Sequence, residues 1–166
     1  MPNAILFYRF ARWCYLHKVP FFPKIFQLII FLIYNSKIPP TADIGIGSFC
    51  VVKGIGVVII DGARIGLRCR IGIGCKIVGK SPFKKVPVIG NDVFLGPGSV
   101  IVGPVVIEDD VIIAPNAVVT KSVPKGAIVG GVPAKIIGSS YDLPYKISDN
   151  EAADKSTAPF MSEKVK

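Results

Sequence analysis

From residue 59 to residue 119 a large apolar side chain stands at every sixth position: Ile59, Ile65, Ile71, Ile77, Phe83, Ile89, Leu95, Ile101, Ile107, Ile113 and Val119. Four residues after each comes a small or compact one: Ala63, Cys69, Cys75, Ser81, Pro87, Val93, Ser99, Val105, Val111, Ala117 and Val123. Ile38, Ile44 and Cys50, with Ala42, Ser48 and Gly54, follow the same rule three residues out of phase, which predicts an insertion near 54–58. A period of six fits neither the 3.6-residue turn of a helix nor the two-residue alternation of a strand. It fits a solenoid whose coil is a triangle of three short strands, one hexapeptide per side. The large residue points into the prism and the small one fits where the chain turns. Gly66, Gly72, Gly90 and Gly96, each directly after an aliphatic position, are expected at corners needing tight or positive-φ backbone. The predicted fold class is therefore mainly β, a left-handed parallel β-helix from about Ile38 to Pro124. Residues 79–87 keep the period in number, but their Gly, Pro and Lys content predicts a loop leaving the coil.

Ahead of the repeats, Ile5, Tyr8, Arg9, Arg12 and Tyr15 place apolar and basic positions at three-to-four spacing, which predicts a helix. Pro20 and Pro23 break it, and a second helix follows through residues 25–34. That run is apolar nearly all round but half as long as a bilayer crossing requires. Residues 3–34 are expected to pack on the protein or a neighbouring subunit, or to lie in a membrane interface. The predicted organisation is a helical segment at 1–37, the β-helix at 38–138 and a polar, disordered tail at 139–166.

Charge divides unevenly. Residues 1–37 carry five cations and no acid, residues 38–138 eleven cations against six acids, and the tail four against five. An anionic partner is implied, but the cations form no nucleic-acid-binding motif. Cys14, Cys50, Cys69 and Cys75 show neither CxxC nor metal spacing, and no cleavable signal is evident. The expectation is a reduced, cytoplasmic protein, with attachment to the inner face of the membrane as an extension, and no metal.

Several stretches resemble the hexapeptide-repeat acyltransferases, above all the serine acetyltransferase branch and its polysaccharide O-acetyltransferase relatives. They are Ile38-Pro-Pro-Thr-Ala-Asp-Ile-Gly45, Gly54-Ile-Gly-Val-Val-Ile59, residues 86–98, Ala117-Val-Val-Thr-Lys-Ser-Val-Pro124 and Val129-Gly-Gly-Val-Pro-Ala-Lys-Ile-Ile137. Phe7-Tyr-Arg-Phe-Ala-Arg-Trp13 resembles the helical entry of this branch. The resemblance implies a homotrimer, or a dimer of trimers, with acetyl-CoA in clefts between neighbouring prisms. A hydroxyl of serine or a sugar would accept the acyl group.

Cofactor-side positions implied by the resemblance are Gly96, Pro97, Gly98, Ser99, Ala114, Pro115 and Ala117, with Lys121 and Lys135 facing the coenzyme's phosphates. Pro97 and Pro115 replace residues that offer a backbone N–H. The family's base histidine falls at Lys53, a second common histidine at Lys84 or Lys85, and a third alternative at Ile60; the acid opening the first coil falls at Lys37. Lys53 and Asp61 are therefore the candidate bases. The only histidine, His17, belongs to the helical segment. Loss of every histidine from the repeats favours the alternative of an inactive trimeric scaffold or CoA-binding module. A γ-class carbonic anhydrase, which needs three zinc histidines, is excluded.

Overall fold

The computed structural model describes residues 2–81 and 85–144. Short strands, β1 to β14 in chain order, form the three sides of a parallel β-solenoid. One side stacks β1 (Asp43–Ile44), β4 (Arg64–Ile65), β7 (Val88–Ile89) and β10 (Val106–Ile107). The next stacks β2 (Phe49–Cys50), β5 (Arg70–Ile71), β8 (Phe94–Leu95) and β11 (Ile112–Ile113), then β13 (Ala127–Gly130) and β14 (Lys135–Ser139). The third stacks β3 (Val58–Ile59), β6 (Lys76–Val78), β9 (Val100–Val102) and β12 (Val118–Val119). Only β14, pairing with β13, is antiparallel among these strands.

The sixfold rule describes the inside of this prism. Ile59, Ile71, Ile77, Leu95, Ile101, Ile107 and Ile113 are fully buried, as are the compact residues Ala63, Cys69, Cys75, Val93, Ser99, Val111 and Ala117. Each fully buried aliphatic contributes roughly 2–3 kcal/mol through the apolar surface it removes from water. Ser81 is exposed, and Phe83 lies outside the described residues.

Register locates both breaks in the period. Ile89 pairs with Ile107, and Ile101 with Val119, so a regular coil is three hexapeptides long. Ile44 pairs with Ile65 and Cys50 with Ile71, which is half a hexapeptide more, because the corner at 51–57 is longer. Ile65 pairs with Ile89 and Ile77 with Ile101, four hexapeptides on, so the stretch 79–87 holds one hexapeptide beyond what a coil requires. An excursion of that length preserves the count while leaving the prism.

Of the two causes expected for the corner glycines, tightness holds and positive φ does not. Gly66, Gly72, Gly90 and Gly96 do not have positive φ. A Cβ on Gly72 would lie 2.6 Å from Pro97 N, and one on Gly96 2.6 Å from Pro115 N. Close approach of successive coils excludes a side chain there. Positive φ occurs two residues further along, at Arg68, Gly74, Asp92, Gly98, Asp110 and Asn116, where Asp and Asn tolerate the left-handed region well.

The first coil has no coil beneath it, which would orphan its backbone groups. Helix α1 (Ala4–Leu16) closes that end. Asn3 Nδ2 donates to Cys50 O at 2.7 Å and Tyr8 Oη to Ala42 O at 2.8 Å. Arg9 donates to the carbonyls of Ile44 and Gly45 at 2.5 and 2.6 Å, and Arg12 to Pro40 O at 3.0 Å. Burial, the largest cause, pushes the Tyr8 hydroxyl pKa up and that of Arg9 down. Helix α2 (Phe22–Tyr34) begins earlier than the expected residue 25, because Pro23, expected only to break the first helix, occupies the first turn of the second, where a missing N–H leaves no helical bond unmade. At the far end β14 runs to Ser139, and the Ser140 hydroxyl bonds Asp110 O at 2.7 Å. The expected tail beyond residue 144 lies outside the described residues.

Candidate active site

The expected site residues divide between two corners. After the second side the chain turns at 51–57, 72–75, 96–99 and 114–117 toward the third. The turns are joined by backbone bonds: Gly74 N to Ile55 O at 3.0 Å, Gly98 N to Ile73 O at 2.8 Å, and Asn116 N to Pro97 O at 2.8 Å. Lys53 belongs to the lowest of these turns, and Gly96, Pro97, Gly98, Ala114 and Pro115 to the upper ones. Asp61 lies one corner further on, between β3 and β4.

Lys53 is positioned by backbone geometry that the sequence does not announce. Residues Val51–Gly54 form a short 3-10 turn in which Val52 and Lys53 have φ of 54° and 63°. A Cβ on the neighbouring Gly54 would lie 2.9 Å from Ala4 Cβ, and Ser36 Oγ donates to Gly54 O at 2.7 Å. The turn is thus pinned between α1 and the start of the first coil, and Lys53 is half-buried there.

Asp61 is exposed and already engaged. Thr41 Oγ1 donates to it at 2.8 Å, and Lys37 Nζ lies 3.5 Å from its other oxygen. It borders a cavity of about 320 Å³ between the helical turn and this corner, together with Tyr15, Phe21, Lys24, Gln27 and Thr41. His17 ends α1, about 20 Å along the helix from Ala4, where it stacks on Trp13 at 4.3 Å between ring centroids. It joins neither corner. Lys84 lies outside the described residues, and Lys85 is exposed.

The expected cofactor face is narrower than the seven small residues. Ser99 and Ala117 are fully buried, and Ser99 Oγ lies 2.9 Å from Cys75 Sγ inside the prism. Gly96 is also buried, so the accessible surface of the corner comes from Pro97, Gly98, Ala114 and Pro115. Ile55 and Ile73 extend it downward and Asn116 extends it above. The phase finds all three, since each shares its turn position with a residue already named. Ala134 N donates to Val118 O at 2.8 Å and Val118 N to Gly131 O at 3.0 Å, so the turn before Lys135 folds over the top of this corner. Lys121 is also exposed but follows β12, one strand away.

The buried cysteines are structural. Burial pushes Cys50 up to about 12 and Cys69 and Cys75 to about 11, which keeps each as an inert thiol at neutral pH.

A stacked corner of small residues, with cations near both ends, is the geometry of a hexapeptide-repeat transferase. Residues 87–121 match the family described as bacterial transferase hexapeptide (six repeats). The serine acetyltransferase of Helicobacter pylori J99 is 34% identical over 81% of this chain and 80% of its own length. That of Synechococcus elongatus is 32% identical over 81% of this chain, which spans 56% of that relative. The crystal structure of serine acetyltransferase from Brucella abortus in complex with coenzyme A superposes with a TM-score of 0.78 at 32% identity, covering 82% of this chain and 55% of that one. This chain belongs to the serine acetyltransferase family.

Proposed function

We propose that this chain transfers an acetyl group from acetyl-CoA to the hydroxyl of a small molecule, serine or a sugar, in the cytoplasm. The observation that carries the reading is the continuous corner of Ile55, Ile73, Pro97 and Pro115. It is flanked by glycines that admit close approach of a ligand's chain, with Lys53 at its lower end and Lys135 at its upper end. Coenzyme A bound to the similar Brucella enzyme supports it.

Acetyl-CoA supplies an activated thioester. The chain's own part is to hold that donor along the corner and to accept a proton. An alcohol is a poor nucleophile at neutral pH, so its oxygen attacks the thioester carbon only as a base removes its proton. Lys53 is the base we assign, with Asp61 as the alternative. The proton passes to the amine, the carbon–sulfur bond breaks, and the ammonium returns the proton to the departing sulfur, so the coenzyme leaves as a free thiol. Lys121 and Lys135 are assigned to phosphate contacts.

The reading includes a homotrimer, or a pair of trimers, because a single prism presents this corner as a ridge and a second wall must come from a neighbour. Light scattering is expected to give three chain masses or a multiple of three; a stable monomer would refute this assembly. The test of function is release of free thiol from acetyl-CoA with serine and sugars offered in turn. Replacing both Lys121 and Lys135 with alanine should weaken coenzyme A binding by about 2–4 kcal/mol, with charge-assisted bonds contributing about 1–2 each. One observation favours a second reading, an inactive scaffold: no histidine lies in the repeats. Tight coenzyme A binding without thiol release under any acceptor would select it.

A further inference from the structure

The outer surface of the helical hairpin is apolar and largely uncovered, and only Phe21 and Lys24 of it border the cavity beside Asp61. Leu6, Phe10, Trp13 and Leu16 of α1 are at least half exposed, away from the buried row Ala4, Tyr8 and Ala11. On α2, Leu28 and Leu32 form a further exposed stripe with Ile25, and Leu32 is 71% exposed. Phe21, in the turn joining the helices, is 79% exposed with φ of 67°. Among the described residues no helix is long and apolar enough to cross a membrane.

Charge selects the occupant of this face. Residues 1–37 hold no carboxylate. Of their five cations, Arg9 is committed to the carbonyls of Ile44 and Gly45, Arg12 to Asp43 at 2.9 Å, and Lys37 to Asp61. Lys18 and Lys24 remain, flanking Phe21, and both are exposed with no ion pair among the described residues. A second copy packed here about a twofold axis would present the same cations again, with no acid in the segment to offset them. An anionic surface offsets them, and Trp13 suits a boundary that is apolar on one side and wet on the other.

We propose that the hairpin docks this protein on an anionic lipid bilayer. Phe21 and the exposed stripes of α1 and α2 enter the headgroup boundary while Lys18 and Lys24 meet lipid phosphates. The 13-residue helices then lie in the interface plane. This inference does not depend on the acetyl-transfer reading.

The test is sedimentation of the full-length protein with two kinds of vesicle, pure phosphatidylcholine and a two-to-one mixture of phosphatidylcholine with phosphatidylglycerol. The mixed vesicles are expected to bind at least about tenfold more tightly, and less so as salt is raised. The double change Lys18→Gln and Lys24→Gln is expected to lower that binding by about 25-fold, from roughly fivefold per cation. Phe21→Ser with Leu32→Ser is expected to lower it by more than about tenfold. All four side chains are exposed, so the variants should keep the wild-type melting temperature and oligomeric mass. Equal binding to both vesicles, absence of binding, or full binding by either variant overturns the proposal. A drop in solution mass for Phe21→Ser with Leu32→Ser, without vesicle binding, assigns the face to a second copy instead.

Discussion

The periodic body of the prism and the two places where its period breaks are built on opposite terms. In the body, β7 to β12, every coil takes three hexapeptides and the inward side chains are almost wholly buried. At 51–57 the chain adds half a hexapeptide and takes left-handed backbone at Val52 and Lys53; at 79–87 it adds a whole one. Of the positions where the resemblance implies bases, Lys53 and Lys84 or Lys85 fall in these two breaks, whereas Ile60, like the alternative base Asp61, follows β3 outside both. The accessible cofactor-side residues, Pro97, Gly98, Ala114 and Pro115, fall in the regular coils. A base assigned to Lys53 is thus one assigned to a place where the repeat is interrupted.

The sharpest break of that comparison is at Lys53. If it is the base, Lys53→Ala should lose about 100- to 10,000-fold in turnover, the usual share of general base catalysis. Lys53→His should retain or raise activity near neutrality. Its melting temperature should change little, since the side chain belongs to no part of the core. Brisk turnover that survives Lys53→Ala would move the search to Asp61.

In the periodic body the same kind of substitution acts on stability. Ile101→Ala, at a fully buried position, is expected to cost about 2–5 kcal/mol in urea unfolding. Val52→Ala, at an exposed position in the break, should stay within about 0.5 kcal/mol. Similar losses at the two sites would erase the distinction.

The buried thiols give the periodic core a pH signature. An unfolded cysteine titrates at about 8.5, whereas burial holds Cys50 at about 12 and Cys69 and Cys75 at about 11. Below the unfolded value both states keep the proton and the contribution is fully present. Above it the unfolded chain releases protons that the native chain retains, so stability falls until pH reaches about 11–12. On the order of 3 kcal/mol per thiol is at stake. Urea midpoints at pH 8 and pH 10.5 should differ accordingly, and equal midpoints would show that these thiols are not enclosed.

Most of this architecture is legible in the sequence because a solenoid repeats its constraints. Ile59 through Val119 announce the inward row, the phase jump between Cys50 and Ile59 announces the first break, and the Gly-Pro-Lys run at 79–87 announces the second. Phase also separates Lys53 from Asp61, since the two fall in different turns of the triangle. What it cannot give is the backbone φ at Lys53, in a turn whose Gly54 lies close to Ala4 and accepts a hydrogen bond from Ser36. Nor does composition show that Arg9 and Arg12 are consumed in closing the first coil, since a cation looks the same whether it faces lipid, solvent or a carbonyl. Ser99 and Ala117 illustrate a further limit: one list of small residues holds both the inward row and the surface beside it.

The smallest expected effect tests the cause assigned to the corner glycines. Gly62 has φ of 77° and nothing within 4 Å of where a Cβ would stand, whereas a Cβ on Gly72 would lie 2.6 Å from Pro97 N. Gly62→Ala therefore meets only the strain of left-handed backbone, about 1 kcal/mol. Gly72→Ala must separate two hydrogen-bonded coils and should cost more than that strain alone. If positive φ were what the corners require, the order would be reversed, with Gly72→Ala neutral and Gly62→Ala the damaging change. Thermal unfolding of the two single variants decides between close approach and backbone freedom, and equal melting temperatures would show that neither account of these corners is right.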